Sequence, residues 1–166
     1  MSVNRTIITA PAITSWASLP SGIAASSSAV AVTSAFINGV IDHQIQVTIA
    51  GPSTMVASPT TQVSVYIYAS VDGSTWPGSS TTNEATIGID APVTLPANGN
   101  SATALGVIPL TLTTIGVSNI YKSKVFSVLS ALGYLPAKYA LMIAQNSGAA
   151  LAATGHSVVI VGIYNA

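Results

Sequence analysis

Cysteine is absent from this chain of 166 residues, which removes disulfides and thiolate metal sites together and leaves the redox compartment unreadable. Charge is nearly absent as well. Arg5, Lys122, Lys124, Lys138, Asp42, Asp72, Glu84 and Asp90 are the formal charges, 5% of the residues with a net charge of zero, where an ordinary soluble domain carries about 25%. A folded monomer of this length exposes on the order of 7,600 Å². So few charges over that area leave little repulsion between molecules, and near-zero net charge favours association.

The same scarcity narrows the function classes. Four basic residues cannot form the Lys/Arg cluster that neutralises phosphates, so no nucleic-acid partner is expected. Two histidines and four scattered acids have no ligand spacing, and no metal, cofactor or acid–base site is expected. Apolar runs are short: the stretches 102–115 and 139–153 are interrupted by Pro109, Gln145, Asn146 and Gly148, short of the roughly 20 residues a membrane helix needs. A transmembrane barrel would carry aromatic girdles, and aromatics are 6% of the chain. No membrane partner is expected. The opening MSVNRTIITAPAITSW has no charged segment leading into a clean apolar run, so no secretory signal is expected either.

What the sequence does have is alternation. In 40–51, Ile41, His43, Ile45, Val47 and Ile49 fall on one face, and Asp42, Gln44, Gln46 and Thr48 on the other. In 61–71, Val63, Val65, Ile67, Ala69 and Val71 point inward, with Tyr66 and Tyr68 opposite. Further strand candidates are 27–34, 85–90, 103–113, 122–129, 139–145 and 156–164. Between them stand turn pairs: Asn38-Gly39, Gly51-Pro52, Asp72-Gly73, Pro77-Gly78, Asn98-Gly99 and Ser147-Gly148. One helical turn is expected at 126–133, where Leu129 and Leu132 are three apart and Pro136 follows. About eight short strands without a long helical period predict an all-β fold, a single-domain antiparallel β-sandwich or jelly roll. Its predicted core includes Ile45, Val47, Val63, Val65, Ile67, Val159 and Val161. Residues 1–20, with Pro11 and Pro20, read as an extended N-terminal arm or first strand, and 21–166 as the β-sandwich domain.

Three motifs invite chemistry, and each has a plainer reading. Ser70-Val71-Asp72-Gly73-Ser74-Thr75-Trp76 resembles turns of lectin-type sandwiches. Its physical content is a hairpin turn in which Asp72 caps backbone amides, Gly73 takes positive φ and Trp76 folds back. Glycan contact through Trp76, Tyr66 and Tyr68 is the alternative. Asp42 and His43 are adjacent in a strand, so their side chains leave on opposite faces and cannot form a catalytic pair; His43 reads as a hydrogen-bonded core or interface residue. His156 has no acid near it in sequence, and no G-x-S-x-G nucleophile elbow is present. Lys122 and Lys124 share a strand face, with Lys138 across the turn, as a small cationic patch or a charged strand edge. No catalytic residue is assigned, and no enzyme is expected.

The strings Phe126-Ser127-Val128, Leu135-Pro136-Ala137-Lys138-Tyr139, Gln145-Asn146-Ser147-Gly148-Ala149-Ala150-Leu151 and Gly162-Ile163-Tyr164, with the upstream VYIYASVDGSTWP, resemble segments of small virion structural proteins of tailed bacteriophages. Head decoration (cement) proteins of that kind are often compact sandwiches or jelly rolls seated over joints between capsid subunits. The resemblance implies a virion protein assembled in the host cytoplasm, a homo-oligomer (dimer or trimer) whose partners are the major capsid protein and copies of itself. Val3, Ile7, Ile8, Lys122, Lys124 and Lys138 are the candidate protein contacts. A tail-tube, tail-tip or fibre component is the nearest alternative, and a carbohydrate-binding module the alternative of another class.

Overall fold

The computed structural model describes residues 3–32, 39–51, 62–76, 87–93, 103–109 and 120–165. Glu84 and the turn pairs Pro77-Gly78 and Asn98-Gly99 lie outside them, as do Asn38 and Pro52. The strands are β1 (Val3–Ile8), β2 (Ala24–Ser26), β3 (Val30–Ala31), β4 (Val40–Ala50), β5 (Gln62–Ser70), β6 (Ala91–Val93), β7 (Thr103–Pro109), β8 (Ile120–Lys122), β9 (Phe126–Ser127), β10 (Lys138–Asn146) and β11 (Ser157–Asn165). A 3-10 turn at Thr14–Trp16 and the short helix α1 (Val128–Leu132) complete the described elements.

All strand pairings are antiparallel, in two sheets. The first runs β1-β11-β4-β8, with β9 continuing β8 along β4. The second runs β6-β2-β10-β5-β7, with β3 continuing β2 along β10. Counting β2/β3 and β8/β9 each as one interrupted strand and setting β6 aside, successive strands pair first with last, second with second-last, and so on inward. Thus β1 pairs β11, β2 pairs β10, β4 pairs β8 and β5 pairs β7. The predicted antiparallel sandwich is the observed architecture.

Alternation explains the layer between the sheets. Ile45, Val47 and Ile49 of β4 meet Val63, Val65 and Ile67 of β5 and Tyr139, Leu141 and Ile143 of β10 in one buried cluster. Large-to-small changes there cost about 2–5 kcal/mol each. On β11 the inward residues are Val158 and Ile160, paired with Val47 and Ile45. Val159 and Val161, expected in the core, both pair with glutamines of β4 and face outward, Val159 at 45% exposure. A Val-Val-Ile-Val run satisfies either phase, so pairing with β4 decided it.

The second sheet differs from a half-wet one. On its outer face Ala24, Tyr68, Ile87, Val93, Ala140 and Met142 form a second buried cluster, with Tyr66 and Trp76 packed against it. Strand β10 is therefore buried on both faces, which is why its YALMIA run lacks alternation. Residues 87–90, expected as a strand, form turns, and β6 follows them. Val71, expected inward, lies past the end of β5 and is exposed.

The N-terminal segment is not a free arm. Residues 3–8 pair with 160–165 of β11, and Trp16 and Leu19 are buried in the central cluster. The Asp90 carboxylate fastens this stretch by accepting Thr14 N at 2.7 Å, Ser15 N at 2.8 Å and the Thr14 hydroxyl. Of the two readings for residues 1–20, residues 3–8 take that of a first strand, because the β11 edge needs a ladder partner.

Among the glycines with positive φ, Gly73 and Gly88 differ in the room beside them. Gly73, at φ +77°, has ordinary room for a Cβ, whereas at Gly88, φ +78°, a Cβ would lie 2.5 Å from the Trp76 ring. Gly73→Ala is expected to cost about 1–2 kcal/mol from the left-handed backbone alone. Gly88→Ala is expected to cost clearly more, because the Trp76 cover must also shift. Urea unfolding of the two variants checks the order; equal losses would contradict the packing of Trp76 on Gly88.

Candidate functional site

The polar side chains with chemical potential are mostly engaged with backbone. Asp42 points to the outer face of β4, where its Oδ1 accepts Leu129 N at 2.9 Å in the first turn of α1. That helix is also capped by the Ser127 hydroxyl, which accepts Ser130 N at 2.9 Å. Asp72 Oδ1 accepts Ser74 N at 2.8 Å, Thr75 N at 2.7 Å and the Ser70 hydroxyl at 3.0 Å, and Oδ2 accepts the Thr75 hydroxyl at 2.7 Å. The bonds from Thr75 and Ser74 hold the Asp72 carboxyl well below the usual carboxylate range. Burial pulls the Asp90 carboxyl upward, and the hydrogen bonds of Ser15 and Thr14 outweigh it and keep it low. The Asp72 and Asp90 carboxylates are acceptors favoured as anions, the opposite of a general acid.

The expected separation of Asp42 and His43 is observed. His43 turns inward, with Nδ1 2.9 Å from the Tyr139 hydroxyl and the rings edge to face. Its Nε2 has no partner among the described residues. Burial lowers the His43 pKa, against an opposing pull from Asp42, and burial raises that of Tyr139. His156 is a staple: Nδ1 accepts Ala50 N at 3.2 Å, and Nε2 donates to the Ala152 carbonyl at 2.8 Å. No group of three or more His, Cys, Asp or Glu that could hold a metal occurs among the described residues.

The glycan candidates separate. Tyr68 is 1% exposed beneath the cover of the second sheet and offers no stacking face. Burial, then Tyr66, raises its hydroxyl pKa. The turn after β5 is capped by Asp72 as expected, but it closes no hairpin, since β5 lies between β10 and β7 and the next described strand, β6, joins β2. Trp76 folds back as expected, onto Gly88. With Val71, Asp72, Thr75 and Tyr134 it lines a shallow depression of about 360 Å³. Tyr134 was not singled out from sequence, because it follows α1 and sits far from the turn in the chain.

The contact candidates also separate. Ile7 is outward at 78% exposure, whereas Ile8 is partly buried and packs against the central cluster. The side chain of Val3 lies outside the described residues, although its backbone pairs with Asn165. Lys122 faces outward on β8 opposite Thr48, and Lys124 lies in the link to β9, 5.5 Å from the Phe126 ring centroid. Lys138 belongs to the other sheet, opposite Ser70 and against Gly73. The expected trio is therefore a pair and a separate residue. Sequence reasoning missed the cleft of about 500 Å³ lined by residues 6–11, 28–31 and His43, at the side where β1 and β3 meet. Nothing in local pattern signals a gap between two sheet edges.

No family model matches the chain, and no curated protein or solved structure is significantly similar to it.

The buried His43 sets a pH dependence. Its folded pKa lies below the ordinary 6.5, so as pH falls below that value the unfolded chain takes a proton that the folded site refuses. Stability contributed by His43 is thus present above pH 6.5 and declines as pH drops toward the folded pKa. Thermal melts of His43→Gln should lack this component of the slope. An unchanged slope would place His43 in contact with solvent.

Proposed function

We propose that the chain is a non-enzymatic structural protein of a tailed-bacteriophage particle, a decoration (cement) protein that binds across capsid subunits and stabilises the head. The strand order carries the reading. First-with-last, second-with-second-last pairing, split between two facing sheets, is the order of a jelly roll, an architecture that serves in viral capsid domains. The surface supports it. Asp42, Asp72 and Asp90 are engaged with backbone amides, and the outer face of the first sheet presents Ile7, Gln44, Gln46, Val159 and Val161. Such a face loses little hydration energy when covered, because few charges are stripped of water. The partners under this reading are the major capsid protein and further copies of the chain.

A protein that binds only the assembled shell stabilises it by mass action. Particles depleted of the chain should assemble, then lose integrity at a lower temperature or milder osmotic shock. Purified protein should restore them, with uptake saturating at a fixed number of copies. Equal robustness of depleted particles, or electron micrographs placing the chain along the tail, would transfer the assignment to a tail component.

The Trp76–Tyr134 depression favours one second reading, a carbohydrate-binding module. It predicts that glycans quench the fluorescence of Trp76 in a Trp16→Phe background and that Tyr134→Ala abolishes the effect. Absence of quenching across a glycan panel would remove that reading.

A further inference from the structure

Sheets end in edges, and an edge with free backbone N–H and C=O groups is a template for another strand. Three of the four edges of the described sheets are blunted. Strand β6 has three residues with Pro92 at its centre. Strand β8 has three residues and carries Lys122. Strand β7 meets a register shift opposite Val65 and Tyr66 and ends on Pro109. Each of these is a known obstacle to strand addition.

Apart from the charge of Arg5, strand β1 has none of these devices. Its six residues pair with β11 in unbroken register, without proline or bulge. Among the described residues its backbone makes no bond other than those to β11. The cleft beside it leaves the strand open on the inner side. On the outer face Ile7, 78% exposed, stands next to Val161. The one charge on β1 is Arg5, and the chain's net charge of zero sets no long-range barrier to self-association.

We propose that β1 pairs antiparallel with β1 of a second copy of this chain, about a twofold axis perpendicular to the first sheet, joining two first sheets into one. Such an axis keeps outward residues outward, so residues of like face must oppose each other. Centring the pair on Arg5 would set two guanidinium groups directly opposite, which is unfavourable. Centring it on Thr6 places Arg5 of each copy opposite Ile7 of the other, so the arginine stem covers the isoleucine. The Val161–Ile7 strip then continues across the axis. A second copy is favoured over an unrelated strand because this register is self-complementary, as a twofold interface demands. The inference does not rest on the particle reading, since it concerns the isolated chain.

Sedimentation of the full-length protein over a broad concentration range tests it. The parent should be a concentration-dependent dimer. Ile7→Lys, at an exposed position, should keep its strand circular dichroism and weaken dimerisation by more than about tenfold, because the twofold axis counts the change twice. The chain has no cysteine, so Thr6→Cys has only its own copy as partner and should yield a disulfide-linked dimer on mild oxidation. The assignment is overturned by a monomeric parent or by an Ile7→Lys variant that dimerises as tightly as the parent. A dimeric parent whose Thr6→Cys variant does not cross-link overturns it equally.

Discussion

The structure depends on β10 having no wet face. Tyr139, Leu141 and Ile143 close the space between the sheets, while Ala140 and Met142 on the alternate face are also buried. A strand of this kind exists only if two layers cover it. One is the first sheet. The other is the segment around Trp76 and Ile87 with the edge strand β6, laid over Tyr68 and Met142. Gly88 is the point of closest approach in that cover, and its amide is held by the Ser26 hydroxyl at 3.0 Å.

Among the described residues that cover is held in place by hydrogen bonds to backbone rather than by ion pairs. Asp90 ties the 3-10 turn to the approach of β6. Gln145, buried, donates to the Leu19 carbonyl at 2.7 Å and accepts Ser147 N at 3.0 Å. The string 145–149 is thus a turn-fastening device that also anchors the chain entering β2. Buried polar groups satisfied in this way specify one arrangement, since leaving any of them unpaired costs about 1–3 kcal/mol. Ser123 does the same where β8 passes into β9, its hydroxyl accepting Val47 N at 3.0 Å.

An inward use of polar groups has an outward consequence. With carboxylates committed to amides, the first sheet meets its surroundings mainly through aliphatic and amide side chains, with Arg5 and Lys122 the charges at its two edges. A surface of that kind is suited to being covered by protein. The proposed role on a particle and the proposed strand pairing are two expressions of that chemistry, one for the outer face and one for the edge.

Much of the fold was legible because alternation is a local property. The inward sets of β4 and β5, the helical turn before Pro136, the Asp72-Gly73 turn and the opposite faces of Asp42 and His43 all follow from spacing within a few residues. Where local pattern is degenerate it failed. The run Val158-Val159-Ile160-Val161 fits either face, and register against β4 chose one. Alternation set Tyr66 and Tyr68 on the face away from the inward valines, and a cover from elsewhere in the chain buried Tyr68. Lys138 looked close to Lys122 in sequence and lies on the other sheet. Residues 1–20 read equally as an arm or a first strand, and pairing of residues 3–8 with β11 and the bonds of Thr14 and Ser15 to Asp90 decided between them. The sequence by itself determined a charge-poor, cysteine-free, two-sheet β protein. Which faces are covered, which strand edge is open and which aromatic rings share a depression were decided by tertiary structure alone, because each depends on residues distant in the chain meeting in space.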